Sequence, residues 1–243
     1  MQTFVFIIAA LLLGDSRNPG SGEVTPSHEA LALYLETAAL TWMQLPECSV
    51  ARAACAQFER QEHESPAKVA DRIQDVAWAV ASVLTYGAWG HEEPALYSDD
   101  RDSARTGLLL MSLAFHESRF RGYVFDGRCS DPAWRSGSEA DQLRPLGTCD
   151  GGQASSIWQL HMGRGYLVSW GEENHLVRRE DVIGLGIFGP VVALHMARAS
   201  LAATGTLRNY TGEWEGPAPA ARAREATAVA YYRAHPFAGI VVP

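Results

Sequence analysis

The sequence predicts a mainly α-helical fold with a small irregular or short β excursion, preceded by a helical N-terminal segment. Three observations carry this. Thr25-Pro26 and Ser65-Pro66 each place a capping hydroxyl ahead of a proline whose fixed φ suits the first residue of a helix. Residues Gly107 to Glu117 are apolar nearly all round, the pattern of a helix buried on every side. Two-residue alternation is scarce, leaving room for at most one short hairpin within 122–160.

The elements follow in chain order. Residues 3–13 form an apolar run shorter than the roughly 20 residues a bilayer-spanning helix needs, but of the right length for a signal-peptide core. Export to the periplasm, the extracellular space or a virion follows from that reading. A buried N-terminal helix is the other reading, because no basic residue precedes the run and Leu13-Gly14-Asp15 is a poor cleavage site. Residues 14–24, rich in Gly, Ser, Asn and Pro, are a linker either way. A first helix runs from about Pro26 to Leu45 and stops at Pro46. A second starts at Pro66, presents Val69, Ile73, Val76, Ala77, Val80 and Leu84 on one face, and ends near Gly87. Together they make an N-terminal helical segment over 25–95.

A third helix begins at Asp102 or Ser103 and ends on Glu117, opening a second unit over 96–243. Residues 122–152, rich in Gly, Asp, Ser and Pro, read as a long surface excursion. Two more helices are expected, from about Pro190 to Ala203 and from about Pro217 to Ala234.

Charge and cysteine usage narrow the function classes. A formal net charge of -8 with scattered basic residues gives no electrostatic footprint for nucleic acid. Cys48 with Cys55, and Cys129 with Cys149, fall into two local pairs, which suits two disulfide loops in an oxidising compartment, four buried thiols being the alternative. No Cys/His cluster has zinc spacing, so neither a metal nor another cofactor is expected. Gly184 to Gly189 matches G-x-G-x-x-G, but no βαβ unit surrounds it and no nucleotide is expected. His116-Glu117 is not a zincin start, since the second histidine would fall at Phe120.

Glu117 is the acidic residue whose context best predicts a perturbed pKa. It follows a run of large apolar side chains, and desolvation disfavours the anion. A carboxylic acid still protonated near neutral pH can donate to the leaving oxygen of a glycosidic bond. The structural alternative is a glutamate at a helix terminus paired with Arg119 or Arg121.

Phe115-His-Glu117-Ser118-Arg-Phe120, followed by Gly151-Gly-Gln-Ala-Ser-Ser156-Ile157-Trp158-Gln159-Leu160, resembles the two hallmark motifs of the soluble lytic transglycosylase family, which is related to goose-type lysozyme. Leu207-Arg-Asn209-Tyr210-Thr-Gly212 resembles its Ala-Tyr-Asn-x-Gly segment, and Tyr231-Tyr232 falls where the family often has a tyrosine-bearing last helix. The likeness covers roughly residues 103–235 and implies a lysozyme-like α-helical domain. Ser156 stands for the usual glycine, Trp158 for the usual methionine and Gln153 for a frequent serine, and Asn209-Tyr210 reverses the family's order.

The resemblance implies that Glu117 is the acid/base, that Gln159 lines the substrate groove, and that Tyr210 positions the sugar or the carboxyl. Ser118 would be a groove-side hydrogen-bonding partner, with Trp158 and Tyr231 as further substrate contacts. Trp158, Tyr166, Trp170 and Trp214 also offer flat faces on which sugars stack. The implied partner is the peptidoglycan glycan strand, cut between N-acetylmuramic acid and N-acetylglucosamine to leave a 1,6-anhydro product. Assembly partners in a wall or virion stay open. If water competes, the outcome is hydrolysis, for which Asp126, Asp131 or Asp150 could supply a second carboxylate. A non-catalytic wall-binding or virion structural protein with the same fold is the alternative from another class, and the chain's acidity counts towards it.

Overall fold

The computed structural model describes residues 28–89, 91, 93, 95–97, 102–128, 150, 153–170, 172–186 and 188–237. The apolar run 3–13, the linker 14–24, the Thr25-Pro26 start signal and Asp131 lie outside the described residues. Cys129 and Cys149, the second expected disulfide pair, also lie outside them. Those described form a mainly helical fold with one small antiparallel sheet.

Helices α1 (His28–Met43) and α3 (Pro66–Tyr86) follow the sequence signals closely. Ser65 caps α3 by accepting from Lys68 N at 3.4 Å, and Pro66 opens its first turn. The helix ends at Gly87, whose φ of 75° lies in a region where a Cβ would be strained. Between them lies α2 (Arg52–Glu62), which sequence periodicity does not announce because only Cys55 and Glu62 are buried along it. A Cys48–Cys55 disulfide ties the start of α2 to the turn after α1. Of the two expected disulfide loops, this is the one that falls within the described residues; a bond from Cys149 to Cys129 does not.

Helix α4 (Asp102–Ser118) is the axis of the molecule. Leu108, Leu109, Leu110, Met111 and Leu113 are all at 0% exposure, and each such burial contributes roughly 2 kcal/mol by area transfer. It packs against α1, α3, α6 (Phe188–Thr204) and α7 (Pro219–Ala234). Gly107 lets α1 come close, since a Cβ there would lie 2.9 Å from both δ-methyls of Leu35. The N-terminal helices therefore share one core with the rest of the chain, joining Leu31, Leu35 and Ile73 to Leu110 and Leu194.

The β excursion falls elsewhere than expected. Residues Gly122–Phe125 form a one-turn helix, α5, and the hairpin pairs β1 (Tyr166–Trp170) with β2 (Glu173–Val177), with Val168 opposite His175. Its alternation is weak because only Val168 and Val177 are buried, while Leu167 and Leu176 face solvent as an opposed pair. The Gly184–Gly189 stretch follows a 3-10 turn (Arg179–Asp181) rather than a strand. There Gly189 admits the indole of Trp158, since a Cβ would come within 2.8 Å of that ring.

Candidate active site

Glu117 sits in the last turn of α4, its side chain 16% exposed, and Oε1 accepts from Arg224 Nε of α7 at 2.8 Å. Arg224 is itself fixed. Its Nη1 donates to Ala220 O at 2.8 Å, and its carbonyl accepts from Ser112 Oγ at 2.8 Å across the α4–α7 interface. Burial pushes the Glu117 carboxyl above its ordinary value, and the charge and hydrogen bond of Arg224, with a smaller pull from His161, work in the opposite direction. Burial wins. Arg119 and Arg121, the cations expected from sequence, pair instead with Glu62 at 3.3 and 2.7 Å, because the chain reverses immediately after Ser118.

That reversal is backbone under strain. Arg119 and Phe120 have φ of 52° and 54°, two consecutive left-handed residues that are not glycine, each costing about 1–2 kcal/mol. The surroundings hold them there. Ser118 Oγ donates to Ala114 O at 3.0 Å and accepts from Phe120 N at 3.2 Å, while the Phe120 ring is fully buried. From the α2–α3 turn, Glu64 accepts from Gly122 N at 3.0 Å and pairs with Arg72 at 2.6 Å, and Arg72 donates to Phe120 O. Any side chain at Gly122 would collide with this pair, at 2.7 Å from Arg72 Nη2 and 2.8 Å from Glu64 Oε2. Ser118, expected on the groove side, is 1% exposed and acts as the knot that closes α4.

The second motif is a tight loop closed by a Ser155–Leu160 bridge, with N–H···O distances of 3.0 and 2.7 Å. Ser156 and Gln159 have φ of 68° and 51°, so Ser156 occupies a left-handed position that glycine would take without strain. The Gln159 side chain folds back to donate to Ser156 O at 3.1 Å and is partly exposed. Trp158 points inward: it is 3% exposed and its Nε1 donates to Leu110 O at 2.9 Å. Its ring is core and not a sugar platform. Its carbonyl accepts from Tyr210 Oη at 2.8 Å. Burial first, and then the Glu117 charge, push the Tyr210 phenol well above its usual value, so it stays a donor beside the carboxylate.

Comparison with protein families, curated proteins and solved structures finds no match. Function therefore has to be read from the side chains themselves. Glu117, Arg224 and Tyr210 form one electrostatic group, and Gln159 neighbours it through the Trp158 backbone. Tyr231 lies two turns further along α7, packed against Trp42 and Tyr34 at ring separations of 5.8 Å each, and is not brought to Glu117. His161 lies 3.1 Å from Asp150 Oδ2 and acts on the Glu117 charge. Trp170 stacks on His91 and meets His195 edge-on, while Tyr166 is half-buried at the start of the hairpin. Trp214 is 70% exposed. Among the described residues no three His, Cys, Asp or Glu side chains converge as metal ligands.

Sequence reasoning missed Arg224, Glu62 and Glu64. Arg224 is one of several arginines on an alanine-rich helix, and only the packing of α7 on α4 aims it at Glu117. Glu62-His63-Glu64 carries a weak local signal, two carboxylates flanking a residue that ends a helix, with no indication of what they would hold.

Proposed function

We propose that the chain is a lysozyme-like glycosidase of the lytic transglycosylase type, cutting peptidoglycan glycan strands with Glu117 as its acid/base. One observation carries the reading: burial favours the protonated form of a carboxyl at the end of a buried helix, so that it has a proton to give, while a fixed guanidinium 2.8 Å away stands ready to stabilise its anion. A group that must give a proton and then take one back needs both influences. In the first step the Glu117 proton passes to the leaving glycosidic oxygen as the C1–O4 bond breaks, with the substrate's N-acetyl group assisting. In the second the C6 hydroxyl of the same muramoyl residue closes on C1 and its proton returns to Glu117. The product is a 1,6-anhydro sugar. Tyr210, whose single O–H is donated to the Trp158 carbonyl, offers an acceptor oxygen to a donor on the sugar.

The Asp150–His161 pair favours a second reading, hydrolysis. It places another carboxylate, bonded to an imidazole, close enough for His161 to act on the Glu117 charge, and such a pair could draw a proton from water at C1. Both readings belong to an exported protein acting on cell walls.

The deciding experiment incubates the full chain and Glu117→Gln with purified peptidoglycan and identifies released fragments by mass spectrometry. Anhydro-muropeptides from the native chain alone support the lyase. Reducing-end products support hydrolysis, and no product from several wall types refutes the glycosidase reading in favour of a non-catalytic wall or virion protein.

A further inference from the structure

The loop between α6 and α7 carries an indole that the core does not use. Trp214 is 70% exposed, and isolated exposed aromatics are ordinary on protein surfaces, so exposure alone assigns it nothing. Its mounting is less ordinary. Arg208 reaches across the loop and donates to the carbonyls on both sides of Trp214, through Nε to Glu213 O at 3.0 Å and through Nη2 to Gly216 O at 2.8 Å. The Glu213 carboxylate accepts from Thr211 Oγ1 at 2.7 Å and from Ala220 N and Ala221 N at 2.8 Å each, capping α7. The backbone carrying Trp214 is thus clamped before and after it, and the ring itself has only two torsions to restrict on binding.

The clamp leads directly to the acid. Glu213 Oε1 accepts from Ala220 N, Ala220 O accepts from Arg224 Nη1, and Arg224 Nε donates to Glu117 Oε1, each at 2.8 Å. One short relay of hydrogen bonds therefore ties the backbone that carries the exposed indole to the carboxyl. On the same loop, Tyr210 is near enough to Glu117 to feel its charge. The chemistry around the indole also limits its ligand. Around Trp214 the carboxylates of Glu213 and the exposed Glu215 are offset by the guanidinium of Arg208 and by Arg222, which donates to Pro217 O, so the surface offers no net charge to an ion and suits the apolar face of an uncharged ring.

We propose that Trp214 is a stacking platform for one neutral N-acetylhexosamine ring of the glycan, held in register with the bond that Glu117 cleaves. This rests on the glycosidase reading of Glu117, and the test separates the two. Steady-state cleavage of soluble peptidoglycan strands is measured for the full chain, Trp214→Ala and Trp214→Phe. Binding of β-1,4-linked N-acetylglucosamine hexamer is followed by calorimetry on a Glu117→Gln background. Trp214→Ala is expected to raise KM about tenfold with a smaller effect on kcat, to weaken hexamer binding to the same degree, and to recover most of both as Phe. Cleavage with KM unchanged within about twofold overturns the platform and leaves the glycosidase reading standing. Hexamer binding that Trp214→Ala removes from a chain that cleaves nothing keeps the platform and overturns the glycosidase. Failure both to bind and to cleave overturns both.

Discussion

Arg224 Nε donates to Glu117 Oε1 at 2.8 Å, joining the end of α4 to the second turn of α7. The pair is set apart from a simple structural ion pair by the direction of the net effect: burial holds the carboxyl above its ordinary range even with the guanidinium in contact. A structural pair would be expected to drive its carboxyl down.

The first prediction concerns pH and rate. Activity should fall as pH rises through the raised Glu117 value, because the acid then loses the proton it must donate. Arg224→Met removes the largest influence that favours the anion, so the alkaline limb of kcat/KM should move to higher pH. A limb that stays in place, or moves lower, would show that Arg224 does not tune this acid.

Stability should carry the same signature. A carboxyl whose folded value exceeds its unfolded one contributes fully below about pH 4, and the contribution is lost as pH rises through the folded value. Glutamine never ionises and loses nothing over that window. Glu117→Gln should therefore cut activity about a thousandfold or more, while its melting temperature gains on the native chain between acid and neutral pH. A gap that shrinks with rising pH contradicts the sign argued above.

Glu64→Gln tests the clamp on the loop after Glu117. Arg72 and Glu64 are each 11% exposed and contact each other at 2.6 Å, so removing one charge strands the other and should cost about 3 kcal/mol in urea unfolding. Activity should drop as well, since Arg72, which holds Phe120 O, loses its charged partner, and Gly122 N is left with a weaker, uncharged acceptor. Unchanged stability would mean that the pair is satisfied by water.

Gly189→Ala probes the seat of Trp158. The added methyl meets Trp158 Cζ3 at 2.8 Å and Val182 O at 3.1 Å, an overpacking worth about 1–3 kcal/mol. Because Tyr210 hangs on the Trp158 carbonyl, the variant should lose activity along with stability, and calorimetry with a rate assay reads both.

The Cys48–Cys55 disulfide closes a short loop, with a sequence separation of 7. Replacing both cysteines by serine should cost about 2 kcal/mol, measured by denaturant unfolding, with kcat and KM intact. An equal loss on reduction of the native chain would assign the whole effect to this bond, whereas a larger loss would point to a second bridge between Cys129 and Cys149.

Much of the frame was legible in the sequence. Ser65-Pro66 and Gly87 bracket α3 as their backbone chemistry requires, and the apolar run ending at Glu117 is the buried central helix. The hairpin was not, because its outward face carries Leu167 and Leu176 where alternation expects polar residues. Within the site, Glu117 could be found because desolvation is written locally, in the residues that precede it. Its cation could not: Arg224 lies 107 positions away and reaches the carboxyl through helix packing alone. Ser118 and Trp158 illustrate the opposite error, since both stand in the motifs that suggest a groove and both turn inward to hold backbone in place.

The turn carrying Glu62 and Glu64 bears on how such a chain can be cut or recombined. It closes on the backbone that follows the acid, although it belongs to a segment the motifs do not touch. Residues 28–86 are therefore not an accessory that can be swapped out. A minimal fragment starting at α4 would keep every recognisable signature and still release the bend that aims Glu117, and a chimera would work only if its donor half brought two acidic side chains to the same spot.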